Sequence, residues 1–408
     1  MVRSRYAHLW PLDPAVVFLN HGSFGACPSG VLEVQRALRD RMERQPVLFH
    51  WRELEGLLDE SRAALARFIG ADANDVAFVP NATAGVNAVL RSLDFRPGDE
   101  LLTTNHDYGA CRVALDYVAG RTGAHTLTAQ VPFPLESEEQ VVDAVLQRVS
   151  DRTRLVMVSH VTSPTGLIWP VERIVAHLHS LGIDTLVDGA HAPGMIDLQI
   201  DQLGAAYYTG NCHKWMCAPK GAGFLHVRRD RQHLIRPTII SHGGGSARAN
   251  RSRFFMEFDW TGTADPTPYL CVPAAIRFIE TIMPGGLPGL REHNRALAVE
   301  ARRMLCQTLN ISSPSPDAMI GSMAAVPLPN DPEDTELVRP TRPMLSPIPR
   351  WQDDLWHEHR IEVPVIPWPA APKLLLRVSA QAYNALPEYE ELCAALPPLL
   401  AAAGRGGA

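Results

Sequence analysis

Lysine is almost missing from this chain. Of its 38 Lys and Arg residues, only Lys214, Lys220 and Lys373 are lysine. Two of the three fall in one stretch, "NCHKWMCAPKGAGFL" (211–225). A chain that uses arginine elsewhere keeps an ammonium where a guanidinium cannot serve. Lysine can lose its proton in a desolvated pocket and form a Schiff base; arginine cannot.

Other absences narrow the class. The seven cysteines (Cys27, Cys111, Cys212, Cys217, Cys271, Cys306, Cys393) are odd in number and scattered. They read as reduced cytoplasmic thiols, not a disulfide framework. Cys212 and Cys217 have no second pair at zinc spacing, and "HEH" (357–359) reads as an exposed helix, so no metal is expected. The opening "MVRSRYAHLWPLDPAVVFLNHGSFG" lacks the apolar core of a signal peptide, and no apolar run reaches bilayer length. Net charge is -6 with both signs interspersed. No basic stripe points to nucleic acid or a membrane surface. With 46% apolar and 20% charged residues over 408 positions, a soluble cytoplasmic enzyme of two lobes is expected.

From about 75 to 230, β-rich runs alternate with amphipathic stretches. "VAFVP" (76–80) precedes "TAGVNAVLRSL", "DELLTT" (99–104) precedes "ACRVALDYVAG", and "RLVMVSH" (154–160) precedes "VERIVAHLHSLG". "DTLVDG" (184–189) and "GAGFLHVR" (221–228) follow. This pattern predicts an α/β fold with a mostly parallel sheet flanked by helices. Residues 269–282 read as a helix leaving that domain, with further helices near 288–310 and 385–402. The expected organisation is an N-terminal segment (1–30) joining the small lobe, a large α/β domain (31–283), a smaller α+β domain (284–403) and a disordered tail (404–408). Nine prolines between 313 and 350 favour a long ordered loop or lid that shapes specificity, or an exposed crossover without substrate contact.

Ligands of such sheets bind beyond the carboxyl ends of the strands. There "NATAGVN" (81–87) opens a helix with small residues and a hydroxyl, a seat for phosphate or simply a capped helix. "LVDGAHAPG" (186–194) ends an apolar strand in Asp188, which needs a cation or hydrogen-bond donors in compensation. His191 follows, facing a ligand or a loop carbonyl. In "HVTSPTG" (160–166), Thr162 and Ser163 either touch a ligand or form the turn. A Schiff-base lysine, an acidic partner for a pyridinium nitrogen and a phosphate cradle together match pyridoxal 5'-phosphate.

These segments, with "LNHGSFG" (19–25), "NHDYGA" (105–110), "NCHKW", "FDWTGTADP" (258–266) and "LRVSAQAYN" (376–384), resemble the class V aminotransferase-like enzymes, in the isopenicillin N epimerase-like branch. The resemblance runs nearly end to end and implies the fold-type I pyridoxal phosphate architecture. It implies the Schiff base on Lys214, with Lys220 in the following turn near the phosphate or on the surface. It implies Asp188 at the pyridinium nitrogen and either His106 or Tyr108 against the ring. Ala82 and Thr83 would hold the phosphate, assisted by Asn211 and His213; Ser163 and His191 would lie near the phenolate oxygen. Arg377 would grip the substrate carboxylate, and Asn20 and His21 would line the substrate side. Thr263 would reach a phosphate in the neighbouring subunit, which implies a homodimer with shared sites.

The resemblance implies an external aldimine with an amino acid and removal of its Cα proton by Lys214. A β-eliminating C–S lyase of secondary metabolism is the expectation, because elimination needs only this machinery. Isopenicillin N epimerase-type epimerisation needs a second base, for which Tyr108, His21 and His191 are candidates. Transamination is a third course. Cysteine desulfurases of this fold use a cysteine on a loop ahead of the carboxylate-binding arginine; no cysteine lies between Cys306 and Cys393. Persulfide transfer is therefore disfavoured. A nicotinamide dehydrogenase is disfavoured too, since "KGAGFLHV" lacks G-x-G-x-x-G.

Overall fold

Runs such as Leu155–Val158 have no polar alternation, so both of their faces must be covered. In the computed structural model, which describes residues 3–245, 248–329 and 350–403, they form a seven-stranded sheet wrapped by helices. Its strands are β1 (Val76–Val79), β2 (Glu100–Thr104), β3 (His125–Ala129), β4 (Thr153–Ser159), β5 (Asp184–Gly189), β6 (Tyr207–Asn211) and β7 (Gly223–Val227), in spatial order β1-β7-β6-β5-β4-β2-β3. Only β7 runs antiparallel to its neighbours β1 and β6. The carboxyl ends of β1, β2, β4, β5 and β6 therefore emerge at one edge.

Helices α1 (Ser29–Arg44), α2 (Leu54–Ile69), α3 (Ala82–Ser92), α4 (Gly109–Thr122), α5 (Glu138–Leu146), α6 (Val171–Ser180) and α7 (Val272–Thr281) accompany the sheet. On one face Val86, Val89 and Leu90 of α3 and Leu115 of α4 pack with Leu101, Met157 and Leu186 from the strands. Each such buried side chain contributes about 1.5–3 kcal/mol. The start of α3 is set by Asn81, whose side chain accepts the Ala84 N–H at 2.9 Å. That cap fixes the first turn of α3 at the sheet edge where the loops converge.

The small lobe comprises α8 (Gly286–Leu309), β8 (Met323–Pro327), α9 (Arg350–His359), β9 (Val365–Pro367), β10 (Leu374–Ser379) and α10 (Leu386–Ala403). Its antiparallel sheet has the order β9-β10-β8. The N-terminal segment reaches it: Val17–Phe18 pairs with Ile361–Glu362, and the Ser379 N–H donates to the Leu19 carbonyl at 2.8 Å.

Two expectations change. The helix expected over 269–282 is two helices, Thr267–Leu270 and α7, because Pro273 lacks an N–H and sits in the first turn of the second. Within the proline-rich 313–350 segment, Met323–Pro327 is strand β8 rather than loop, since the run Met323–Val326 carries no proline and its residues pair with β10. Residues 330–349 of that segment, and the tail 404–408, lie outside the described residues. The "HEH" residues end α9 on its exposed side. Among the described residues no single helix is long and apolar enough to cross a membrane.

Candidate active site

Five strand ends deliver Asn81, the 105–108 loop, Ser163, Asp188 with His191, and Lys214 to one region; β10 brings Arg377 from the small lobe. Lys214 stands at its centre. Its Nζ lies 3.0 Å from Nε2 of His191. Burial, reinforced by the charge of Arg377 and opposed by that of Asp188, lowers its pKa to about 7. A large share of the amine is then neutral near pH 7, as a nucleophile or proton acceptor requires.

The backbone at Lys214 is held from two sides. Its carbonyl accepts the Cys217 N–H at 2.9 Å and faces Nε2 of His21 at 3.1 Å. His21 in turn takes the Tyr383 hydroxyl on Nδ1 at 2.9 Å. Close approach is possible because Gly25 has φ +71°, and a Cβ there would stand 2.0 Å from the His213 carbonyl oxygen. Gly194 does the same beneath Trp215, where a Cβ would meet backbone at 2.6 Å.

Two buried charges flank the amine without a direct ion pair. Among the described residues the Asp188 carboxylate accepts the Ala190 N–H at 3.0 Å and the thiol of Cys111 at 3.3 Å. Burial raises its pKa, Lys214 opposing. Arg377 donates to the carbonyl of Ser163, to its hydroxyl at 3.3 Å and to the Ser23 hydroxyl at 3.3 Å, all neutral. Its buried Nε has no partner among the described residues, and burial lowers its pKa to about 10. An uncompensated buried charge costs several kcal/mol, so each end is built to receive an opposite charge. The site therefore suits a ligand that is cationic at Asp188 and anionic at Arg377.

Of the first N–H groups of α3, Ala84's goes to Asn81 and Ala82's to the side-chain oxygen of Asn211 at 2.8 Å. Thr83 is left at the open turn, the orphan donor of a helix N-terminus. His213 turns its Nδ1 to the Ala222 carbonyl at 2.8 Å, and burial lowers its pKa to about 4. Asn20 is tied to Glu362 at 2.9 Å and to the Ser23 hydroxyl. Thr263 is exposed on the loop before the Thr267 helix.

Three of the expected site residues are already engaged by neighbouring groups. His106 is fully buried, with its ring nitrogens facing Thr165 at 2.9 Å and the Val131 carbonyl at 3.2 Å. Packed among Phe133, Trp169 and Trp368, it has no face open to the site. Tyr108, 46% exposed, is the open member of the pair, and the charges of Asp188 and Arg377 reach its phenol. His21 is fully buried and engaged by Tyr383 and the Lys214 carbonyl. Ser163 receives Arg377 on its carbonyl and on its hydroxyl oxygen. Cys111, Trp215, Tyr383 and Ser23 are additions that the sequence reading missed. Cys111 follows Tyr108 by three positions, a spacing that brings side chains to neighbouring places on a helix; it is the one with a usable signal.

Lys220 is exposed and donates to the Gly25 carbonyl at 2.9 Å. An arginine can make the same bond. Lys220→Arg should leave kcat/KM within about twofold, the scale of a surface change of about 0.5 kcal/mol. Steady-state kinetics check it, and a loss comparable to that of a Lys214 variant would contradict the assignment of the amine.

Residues 50–330 match the model of the family described as Aminotransferase class-V, and the chain belongs to that family. Isopenicillin N epimerases of Streptomyces clavuligerus and Amycolatopsis lactamdurans are 34% and 36% identical to it, over 95% of this chain and 96% of their own. A probable chloroplastic L-cysteine desulfhydrase of Arabidopsis thaliana is 30% identical over 96% of this chain and 84% of its own. Among solved structures, the cystine C–S lyase C-DES in complex with its product cysteine persulfide superposes with a TM-score of 0.75 at 22% identity. That match covers 93% of this chain and 97% of C-DES, and it bears on the fold.

Class V aminotransferases use pyridoxal 5'-phosphate, and this is the cofactor of the chain. The residues present fit it: a depressed lysine amine, a buried carboxylate short of a cation, and an open helix N-terminus lie together at the sheet edge.

Proposed function

We propose that the protein is a pyridoxal phosphate-dependent C–S lyase that eliminates the sulfur substituent from the β-carbon of an amino acid. The supporting observation is that, among these candidates in the described residues, Lys214 alone is available as a base. Of the candidates for a second, His21 is committed to Tyr383 and the Lys214 carbonyl, and its pKa is lowered to about 3 by burial. His191 is committed to Trp215 and Lys214. Burial, with Cys111 and Asp188 adding, raises the Tyr108 phenol, which therefore stays protonated at neutral pH. Elimination needs only one base.

In this reading Arg377 binds the substrate carboxylate through its planar fork, and Ser163 and Ser23 keep that fork aimed. Asp188 would hold the cofactor's ring nitrogen in its protonated form, and Thr83 and His213 would hold the phosphate. When bound, the cofactor would supply the electron sink for the pair left at Cα. Lys214 removes the Cα proton; the Cβ–S bond breaks and the thiolate leaves with a proton. Water then converts the remaining enamine to pyruvate and ammonia. Exposed Phe24, Trp51, Val113 and Tyr117 support contact with a second copy, with Thr263 reaching the neighbouring phosphate. The described cysteines are all free, which supports the cytoplasm as the compartment.

Epimerisation is the second reading, favoured by one observation: a protonated, half-exposed Tyr108 close to Asp188 and Arg377 is a candidate acid for the other face. Tyr108→Phe separates the two. Elimination should persist within about tenfold, whereas loss of an essential acid would cost roughly 10²–10⁴-fold. S-substituted cysteines should give pyruvate. Isopenicillin N inverted in configuration, or solvent deuterium entering Cα without pyruvate, would overturn the lyase reading.

A further inference from the structure

The imidazole beside Lys214 has a second neighbour. Trp215 Nε1 lies 3.3 Å from Nδ1 of His191, and Lys214 Nζ lies 3.0 Å from its Nε2. Trp215 and His191 are both buried, so solvent does not compete for the indole bond. An indole nitrogen can only donate, so Nδ1 must accept and carries no proton. A neutral imidazole then holds its single proton on Nε2, aimed at the amine. The doubly protonated form is opposed by burial and by the charges of Lys214 and Arg377.

We propose that Trp215 is a positioning residue that fixes His191 as the Nε2–H tautomer, so that the imidazole presents a donor, and not a base, to the nitrogen of Lys214. The lysine must answer with its lone pair, because an ammonium would set two donors against each other. The tautomer thus favours the neutral amine in the same sense as desolvation. It also removes His191 from the candidates for a second base. The other titratable groups acting on the amine are Asp188 from β5, Cys111 from α4 and Arg377 from β10; His21 and His213 also act on His191. Among the described residues only Trp215 is bonded to Nδ1.

Trp215→Phe keeps an aromatic ring against His21, 4.8 Å away between centroids in the parent, but removes the donor. The imidazole can then move its proton to Nδ1 and accept from an ammonium on Lys214. His191→Gln is the control, since its carbonyl can accept the indole N–H while its amide donates to the lysine. The inference rests on Lys214 as the imine-forming lysine but not on the reaction proposed.

The test uses the full-length protein labelled with ¹⁵N-histidine, with and without cofactor, His191 being assigned from the His191→Gln spectrum. Long-range proton–nitrogen correlation should place the parent's proton on Nε2. In cofactor-free protein, ¹³C reductive methylation reports the Lys214 amine, with Lys220→Arg and Lys373→Arg assigning the signals. Trp215→Phe should raise the Lys214 midpoint by about one unit, the scale of one exchanged hydrogen bond, and His191→Gln should not. A parent proton on Nδ1, or an unmoved midpoint in a folded Trp215→Phe protein, would overturn the proposal. Should that variant fail to fold, the parent tautomer decides alone. A protein with the proton on Nε2 but no imine at Lys214 would instead overturn the functional reading.

Discussion

Lys214→Ala is expected to abolish turnover and to leave the fold in place. The lost proton transfer alone is worth roughly 10²–10⁴-fold, and the lost imine adds to it. Neither Lys220 nor Lys373 can substitute, because Lys220 is exposed and bonded to Gly25 and Lys373 sits at the start of the β10 turn. Stability follows from linkage. The folded-state pKa of Lys214, about 7, lies below that of a free lysine, so the unfolded chain binds the extra proton between those values. In cofactor-free protein the parent's stability therefore rises with pH across that window. The alanine variant lacks this slope. At pH 7 its melting temperature should equal or exceed the parent's, measured by circular dichroism alongside activity. A variant that loses activity only by unfolding would count against the assignment.

Arg377→Ala is expected to raise KM and lower kcat/KM by about 10² or more. Two charge-assisted hydrogen bonds to a carboxylate disappear, each worth about 1.5–3 kcal/mol. Arg377→Lys should recover only part of this, because an ammonium lacks the planar fork that Ser163 and Ser23 hold in place. Cofactor binding, followed by visible absorbance, should change little. Equal damage to cofactor affinity and KM would place Arg377 at the phosphate instead.

The residues legible in the sequence were those that end strands. Asp188 comes near the end of the strand run that starts at Asp184, and Asn81 precedes a helix, so each announces its position locally. Lys214 was legible by scarcity and by its distance past Asp188. The sheet was readable from alternating runs, but the reversed direction of β7 was not. Its residues Gly223–Val227 are buried throughout like those of the parallel strands, so composition carries no sign of direction. Bonds between distant segments were equally invisible. Nothing near Ser163 indicates that its carbonyl receives Arg377, 214 positions away, and nothing near His21 indicates Tyr383. His106 and Tyr108 could not be separated because the pockets that draw them apart, Thr165 with Trp368 and Asp188 with Arg377, are assembled only in the fold.

Reduction of the cofactor-loaded protein with borohydride, followed by peptide mass mapping, tests the central assignment most directly. With three lysines in the chain, the label has three possible lysine addresses. The phosphopyridoxyl mass should appear on the peptide carrying Lys214 and nowhere else. Its appearance on Lys220 or Lys373, or an active enzyme that borohydride leaves unlabelled, would contradict the account.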